Sequence, residues 1–247
     1  MELALNTSSK NNSIAISQEG EVLNEMVWLS SHNETVELIP NLNRLLKQTQ
    51  VKADLLQTII VAIGPGKFNS LRVGLGIAKG LSFSLDIPLI GISTLNVMAY
   101  PFANSKLQIH PIQKANGNNI ATAIYQQSHT WQCIKPAYLT TLELLYNQVE
   151  QQTLFCGEID NDMVNDIEQH LGSLAVIPNI TKISYIASLA ALGWKRFLNG
   201  EQDNIATLQP LYLRPPHITE PRKKNTIPTH IQSHNLNHQN SSSPYKE

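Results

Sequence analysis

The chain has too few cysteines to be held together by disulfides. Cys133 and Cys156 are the only two among 247 residues, whereas domains stapled by disulfides carry several in a shorter sequence. In a reduced compartment, free cysteines usually pack as small hydrophobic side chains. We therefore expect a cytoplasmic protein with two free thiols.

Charge of either sign is also scarce, with 18 lysines and arginines against 19 aspartates and glutamates and a formal net charge of −1. A broad nucleic-acid-binding face needs clustered cations, so we do not expect one, and a local basic patch stays open. No apolar run reaches the ~18 residues that a membrane-spanning helix needs. The opening MELALNTSSK lacks the basic start of a signal peptide. We expect no association with a membrane.

Neither common phosphate-binding motif is complete, although a glycine-rich stretch stands where one belongs. GPGKFNSLRVGLGIAKG, residues 64–80, follows the apolar run TIIVAI. Phe68 follows Gly66-Lys67, so the Walker pattern fails, and Asn69 stands where the dinucleotide pattern has its third glycine. Two interpretations stay open. The turn either presents free N–H groups and Lys67 to an anion, or is simply a tight connection from strand to helix.

The helix predicted over residues 70–85 carries small residues in two rows with intervals of four. The rows are Gly74, Ala78, Ser82 and Gly76, Gly80, Ser84. Each glycine inside a helix costs about 1 kcal/mol relative to alanine, so close approach of another backbone is the expected reason. Packing within the chain and an interface with another subunit both fit this pattern.

The predicted elements occur in the same order twice: three strands, then helix, strand, helix, strand, helix. This order predicts an α/β protein with the duplicated two-lobed fold of actin, sugar kinases and heat-shock ATPases, each lobe a mixed sheet flanked by helices. We assign residues 1–104 to an N-terminal, partner-binding lobe and 105–216 to a C-terminal lobe. Residues 217–247 are polar and lack periodicity, which predicts a disordered tail. The second half includes predicted helices over 140–149 and 183–198 and a predicted strand over 173–178.

The glycine-rich stretch and its continuation resemble a known family. GPGKFNSLRVGLGIAKGLSFSLDIPLIGISTL is similar to GPGSFTGLRIG…AKGLA…IPL.GVSTL of the TsaB family, which acts in tRNA threonylcarbamoyladenosine biosynthesis. The opening LALNTSS…SIAIS resembles the family's LAIDTS…SVAL, SSHNETVELIPNLNRLL its HSE..LLP.I..LL, and QPLYLRP its P.YLR ending. Order and spacing agree over residues 1 to about 100. Beyond that, the likeness rests mainly on element order.

The resemblance implies a scaffold and activating subunit that is not catalytic by itself. Family members pair with a related catalytic, TsaD-like subunit, which holds a metal through an H-x-x-x-H pair and modifies adenosine beside the tRNA anticodon. An ATPase, TsaE-like subunit completes the machinery. No cofactor is implied for this chain, although ATP binding by the whole complex is compatible with the resemblance. Pairing, with the catalytic subunit or with a second copy, uses two helices, whose residues here are Val36, Leu38, Leu42, Leu45, Leu71, Gly74, Leu75, Gly76, Ala78, Lys79 and Gly80.

Several positions depart from the family's pattern, and the departures remove groups that acid–base or metal chemistry would use. Asn6 replaces the Asp of the first loop, Lys67, Asn69 and Ser70 replace Ser, Thr and Gly, and Lys114, Asn116 and Asn119 replace the Asp, Arg and Glu of DAR..EVY. The resemblance thus implies a degenerate anion or nucleotide site made of Asn6, Thr7, Ser8, Gly64, Gly66 and Lys67. Val36 follows His32 after four residues, so the metal-binding pair is absent. We expect neither a metal site nor a catalytic residue.

Three other functions stay open. An ATP-dependent small-molecule kinase of the same fold would want an acid in place of Asn6 to hold Mg²⁺. A metallopeptidase-like protein would need a metal or a nucleophile, and a homodimeric binding module would need neither. The remaining clusters have simpler explanations as a helix start or a solvated tail: Glu158, Asp160 and Asp162; His230, His234 and His238; Arg214 and Arg222 to Lys224.

Overall fold

The computed structural model describes residues 1–30, 33–178 and 183–213, and the residues up to Arg214 form one compact unit. Some residues singled out in the sequence lie outside the described ranges. They are His32, Arg214, Arg222 to Lys224 and the three histidines at 230, 234 and 238.

The first half of the chain forms a mixed five-stranded sheet with the order β3-β2-β1-β4-β5. Strand β2 runs antiparallel to both neighbours, whereas β4 is parallel to β1 and to β5. The elements are β1 (Glu2–Asn6), β2 (Asn11–Gln18), β3 (Glu21–Leu29), α1 (Glu34–Thr49), β4 (Thr58–Gly64), α2 (Phe68–Leu85), β5 (Leu89–Ser93) and α3 (Thr94–Ala99).

The second half forms another five-stranded sheet, with the order β10-β9-β6-β7-β8. Its elements are β6 (Gln108–Lys114), β7 (Asn119–Gln127), β8 (Trp131–Thr141), α4 (Leu142–Tyr146), β9 (Thr153–Gly157), α5 (Asn161–Leu171), β10 (Ala175–Val176) and α6 (Tyr185–Leu198). In both sheets the third, second, first, fourth and fifth strands of the set lie side by side. The duplicated two-lobed fold predicted from element order is therefore confirmed.

A two-residue turn joins β2 and β3. Glu19 and Gly20 have φ of 54° and 80°, the left-handed conformation that a tight hairpin of this kind needs at both positions. The carboxylate of Glu2, which is fully buried, accepts hydrogen bonds from Ser17 Oγ at 2.7 Å and from the Glu19 amide at 3.1 Å. A buried carboxylate thus fastens the hairpin to β1, which the short apolar run MELALN did not predict.

The first sheet is covered on both faces except along its edge strand β3, where Leu23, Val27 and Leu29 are exposed. On one face, residues such as Leu3, Leu5 and Ile14 pack with Leu38 and Leu42 of α1. The opposite face is covered by α6, although α6 lies within the range predicted for the second lobe. A side chain at Gly193 of α6 would overlap with Ile60 of β4, so helix and strand are in backbone-to-side-chain contact.

The chain after α6 continues along the first sheet. The Asp203 amide donates to the Leu89 carbonyl oxygen at 2.8 Å, and the Gly91 amide donates to Asp203 Oδ2 at 2.7 Å. Further on, the Leu211 amide donates to the Ile63 carbonyl oxygen at 2.7 Å. The first two bonds hold Asp203 beside the first residues of β5, and the third holds Leu211 beside the carboxyl end of β4.

Two predicted elements are wrong in extent. The helix predicted over 140–149 covers only Leu142–Tyr146, because Thr140 and Thr141 pair with β7 as the end of β8. Thr141 Oγ1 then accepts a hydrogen bond from the Leu144 amide at 3.3 Å and caps the helix. The strand predicted over 173–178 is reduced to Ala175–Val176, since a 3-10 turn occupies Gly172–Leu174.

A histidine lies in the core of the second sheet. His110 of β6 is 2% exposed, stands 5.7 Å from the Phe155 ring centroid, and its Nδ1 has no hydrogen-bond partner among the described residues. Burial, and to a smaller extent Lys135 nearby, lowers the pKa of His110 to about 4. The ring is therefore neutral in the folded chain at a pH where the unfolded chain would protonate it.

Acid should destabilise the fold through His110. The pKa of His110 in the folded chain lies below the unfolded value of about 6.5. Its contribution to the free energy of unfolding is therefore complete above pH 6.5 and is lost as pH falls toward 4. Between pH 7.5 and 5 we expect this loss to be about 2 kcal/mol. Urea unfolding at both pH values should show His110→Leu losing about 2 kcal/mol less than the wild type. His129→Gln, at an exposed histidine, is the control, and an equal loss in the wild type and in His110→Leu would contradict the assignment.

Candidate functional site

The loop after β1 lies against the start of α2, which brings together the two sequence segments predicted to form an anion site. Thr7 Oγ1 donates to the Ser70 carbonyl oxygen at 2.8 Å. The Lys67 amide donates to the Ser8 carbonyl oxygen at 3.1 Å. Both Thr7 and Ser8 are buried, so this contact is part of the core of the first lobe.

Two glycines make this contact possible because they lack side chains. A Cβ at Gly66 would overlap with the Ser8 carbonyl group, and one at Gly74 would overlap with Thr7 Oγ1. Gly64 is required for a different reason, since its φ of 105° is open mainly to glycine. For the row that contains Gly74, the sequence left packing within the chain and a subunit interface open. The structure decides for packing within the chain.

The polar groups expected to attract an anion already have partners inside the chain. Asn6 Oδ1 accepts hydrogen bonds from the Ser8 amide at 3.1 Å and from Ser8 Oγ at 2.7 Å. The amide of Lys67 is occupied by Ser8, as described above. The Lys67 ammonium is then the charged group that this loop can offer to a ligand, and anion binding here stays a prediction.

A second set of contacts joins this loop to the other sheet. Gln113 Nε2 of β6 donates to the Ser8 carbonyl oxygen at 3.3 Å. Nearby, burial raises the pKa of Glu158, while the Lys114 amide, at 3.2 Å, and the charges of Lys114, Lys10 and Lys67 act in the opposite direction. Lysines of both lobes therefore surround one half-buried carboxylate.

The acidic cluster of the second half has structural roles. Asp160 precedes α5, accepts a hydrogen bond from the Met163 amide at 3.0 Å and forms an ion pair with Lys114. The prediction that these acids mark a helix start is confirmed for Asp160, the N-cap residue, and for Asp162, in the first turn. Asn119 Nδ2 donates to the Asn116 carbonyl oxygen at 3.0 Å, within the turn from β6 to β7.

Burial divides the eleven residues predicted for the partner interface. Seven are buried in this chain's own core: Leu38, Leu42, Leu45, Leu71, Gly74, Leu75 and Ala78. Packing inside the chain accounts for the burial of these seven, and a direct contact between them and a partner stays a prediction. The other four, Val36, Gly76, Lys79 and Gly80, are at least partly open to solvent. An interface formed by these four stays a prediction.

The row of Gly76, Gly80 and Ser84 is exposed. Apart from the adjacent residues and the nearby backbone of α2 itself, no atom of the described ranges lies within 4 Å of a Cβ placed at Gly76 or at Gly80. Exposed apolar side chains stand on the same two helices: Val36 is 68% exposed, Ile39 41% and Phe83 79%. Sequence reasoning missed Ile39 and Phe83, although their helical spacing from Val36 and Gly80 could have identified them.

Arg72 and Phe68 extend this exposed surface toward the start of α2. The Arg72 guanidinium lies 5.3 Å from the Phe68 ring centroid, and Phe68 stacks on Tyr212 at 4.8 Å between centroids. Phe68 and Tyr212 are partly exposed. The sequence did not predict this cluster, because Tyr212 is far from α2 along the chain.

The part of the chain that the structure describes contains no group of three or more His, Cys, Asp or Glu side chains placed to hold a metal ion. None of its helices is both long enough and apolar enough to cross a membrane.

Comparisons with known proteins match one family model and several curated relatives. The family model described as TsaD, tRNA N6-adenosine threonylcarbamoyltransferase, matches residues 26–192. The tRNA threonylcarbamoyladenosine biosynthesis protein TsaB of Bacillus subtilis (strain 168) is 33% identical over 124 residues, which are 50% of this chain and 54% of that protein. TsaB of Haemophilus influenzae is 36% identical over 99 residues, 39% of this chain and 41% of that protein. The chain thus spans about half the length of the curated relatives it matches.

A solved structure agrees over a longer range. YeaZ from Pseudomonas aeruginosa superposes with a TM-score of 0.68 at 20% identity, and the match covers 86% of this chain and 99% of that one. At this identity the likeness shows the fold, including the second half, where sequence agreement is weak.

Alanine substitutions at two glycines of α2 should change the stability of the fold in opposite directions. Gly74→Ala should destabilise the fold by about 1–3 kcal/mol, since the new methyl group would displace Thr7. Gly76→Ala has open space and should stabilise it by up to about 1 kcal/mol through helix propensity. Urea unfolding measures both, and Thr7→Ala should lessen the cost of Gly74→Ala. Similar effects at the two glycines would show that the loop does not pack as described.

Proposed function

Because this chain belongs to the tRNA N6-adenosine threonylcarbamoyltransferase family, within its TsaB/YeaZ branch, we propose that it acts in tRNA threonylcarbamoyladenosine biosynthesis as a non-catalytic scaffold. It docks the exposed surface of α1 and α2 against a related catalytic subunit and holds that subunit in an active conformation. An ATPase subunit and the tRNA join through the complex. Two findings support this role: the names of the curated relatives and the exposed surface of the two helices.

The observation that carries the proposal is the exposed glycine row of α2. A glycine in a helix costs about 1 kcal/mol relative to alanine. At Gly74 a Cβ would overlap with Thr7, but a Cβ at Gly76 or Gly80 would meet no described atom outside the nearby part of α2 within 4 Å. Close approach of a partner's backbone to α2 would explain why glycine stands at these two positions.

Helix α1 forms the other half of this exposed surface. Helices α1 and α2 contact each other, and Ser70 Oγ donates to Glu34 Oε1 at 2.7 Å, which joins the first turns of both helices. Val36 and Ile39 are the exposed apolar residues of α1. Two helices from a partner could pack into such a pair as a four-helix bundle, and small residues at the contact would shorten the distance between the axes.

The non-catalytic role is supported by two positions that carry other residues than the chemistry would need. By the resemblance, the catalytic subunit uses an H-x-x-x-H pair, but here Val36 stands in the second position and is 68% exposed at the start of α1. Asn6 stands where an acid would hold Mg²⁺, and its Oδ1 is occupied by Ser8. Both features favour a partner of an enzyme over an enzyme.

Leucine at either exposed glycine should abolish pairing and keep the fold. Gly76→Leu and Gly80→Leu place a large side chain in open space within this chain, so urea stability should stay within about 1 kcal/mol of the wild type. Affinity for the catalytic subunit should fall at least tenfold, about 1.4 kcal/mol, because the helices are forced apart. Light scattering after size-exclusion chromatography measures the complex. Gln151→Leu, a substitution at an exposed position away from both helices, is the control. Normal pairing of both glycine variants would place the interface elsewhere.

Lys67 of the predicted anion site should matter much less for pairing than Gly76 and Gly80. Lys67→Ala removes an ammonium group from the loop before α2 and leaves the exposed glycine row unchanged. We expect affinity for the catalytic subunit to stay within about twofold of the wild type. A large loss in the same chromatography assay would instead assign a function in the complex to this loop.

A further inference from the structure

A cavity of about 540 Å³ opens where the end of α6 meets the turn between β7 and β8. Helix α6 covers the first sheet, whereas β7 and β8 belong to the second, so the cavity lies where the two lobes meet. Residues three and four apart share one face of a helix, and α6 lines the cavity with such a set: Leu192, Lys195, Arg196 and Asn199. None of the lining residues belongs to α1 or α2.

Two aromatic side chains of the wall, Tyr100 and Trp131, are held in fixed orientations. Trp131 Nε1 donates to Asn96 Oδ1 at 2.7 Å, and the Trp131 ring stacks on Tyr125 with 5.5 Å between the centroids. Tyr100 meets the Trp131 ring edge to face at 5.7 Å, and its hydroxyl oxygen accepts a hydrogen bond from Lys195 Nζ. Rings held in this way lose little freedom when a ligand packs against them.

The charged groups of the wall are positive. None of its nine residues is an aspartate or a glutamate, and two are cations. The Arg196 guanidinium already has acidic partners, Glu201 at 2.7 Å and Asp203 at 3.0 Å. Lys195 forms no ion pair within 4 Å in the part of the chain that the structure describes. Its ammonium has three N–H groups, of which Tyr100 accepts one, so Lys195 can donate to an anion in the cavity.

The rest of the wall is apolar or neutral. Leu192, which is 7% exposed, and Leu198, which is 65% exposed, contribute apolar surface. Neutral amide and hydroxyl groups come from Gln127, Thr130 and Asn199. Sites for small organic ligands share this make-up, in which apolar and aromatic side chains predominate and a few polar groups fix the orientation of the ligand.

We propose that this cavity binds a small molecule that combines a planar aromatic ring with one anionic group, a carboxylate or a phosphate. The ring packs against Tyr100 and Trp131, and the anionic group accepts hydrogen bonds from the Lys195 ammonium. The cavity volume lies within the range of roughly 300–1,000 Å³ that is typical of small-molecule sites. The site is separate from the α1–α2 surface and does not depend on the function proposed above.

Naphthoate and naphthyl phosphate are suitable probes, because each joins a flat ring to one anionic group. Isothermal titration calorimetry with the full chain should give a Kd below about 1 mM for at least one of them, and the tighter probe identifies the preferred anionic group. Neutral naphthamide should bind at least about fivefold more weakly than that probe, since it lacks the charge. Acetate and inorganic phosphate, which lack the ring, should bind more weakly still.

The position of the bound probe can be read from Trp131. In nitrogen-15 spectra the indole N–H signal of Trp131, identified by its loss in Trp131→Phe, should shift as the probe is added. The Gly76→Leu variant should bind the probes as the wild type does, so a loss of subunit pairing leaves this test intact.

Two pairs of variants locate the site. Lys195→Met should weaken the anionic probe at least about threefold and leave naphthamide unchanged, whereas Lys106→Met, at an exposed lysine outside the cavity, should change neither. Thr130→Trp places a large ring at the cavity and should weaken every probe. His129→Trp, at the exposed neighbouring position that does not line the cavity, should bind like the wild type.

Several outcomes would overturn the proposal. They are no binding of either anionic probe up to about 5 mM, naphthamide binding as tight as that of both anionic probes, a Trp131 signal that stays in place while a probe binds, and equal effects of Thr130→Trp and His129→Trp. In the last two cases the bound probe lies outside the cavity.

Discussion

The loop that follows β1 fills the space left by two absent side chains at the start of α2, and the rest of the first lobe depends on this contact. Thr7 occupies the position that a Cβ at Gly74 would need, and the Ser8 carbonyl group that of a Cβ at Gly66. Because both groups are buried, the contact fixes the rotation of α2 about its own axis. That rotation turns Leu71, Leu75 and Ala78 toward the sheet and leaves Gly76 and Gly80 outside.

This constraint gives the two small-residue rows of α2 different meanings. One row is required by packing within the chain, and a larger residue in it strains the core. The other is free of any such requirement within the described chain, yet it keeps glycine where alanine would favour the helix. A surface that holds open space at a cost in helix propensity is understandable if another backbone comes to occupy it.

Much of the fold could be predicted from local pattern, and what could not depends on contacts between distant segments. The order of elements repeats because each half alternates apolar strands with helical spacing, and this was enough for the two sheets. The two rows of α2 look alike in sequence, since both have small residues at intervals of four, and Thr7, more than 60 residues earlier, decides between them. Phe68 and Tyr212 were missed for the same reason. Strand β10 was overestimated because an apolar run does not show how much of it finds a partner strand.

The return of α6 to the first sheet affects how the protein can be made on the ribosome. The sheet face formed by residues such as Ala4, Ala15 and Ile60 is complete once β5 has been synthesised, but its cover, including Leu189 and Gly193, emerges more than 90 residues later. At about 5–20 residues per second, the first lobe waits at least several seconds with an apolar face uncovered. Its folding cannot finish from the N-terminus alone, and during synthesis this face is the one most in need of a chaperone.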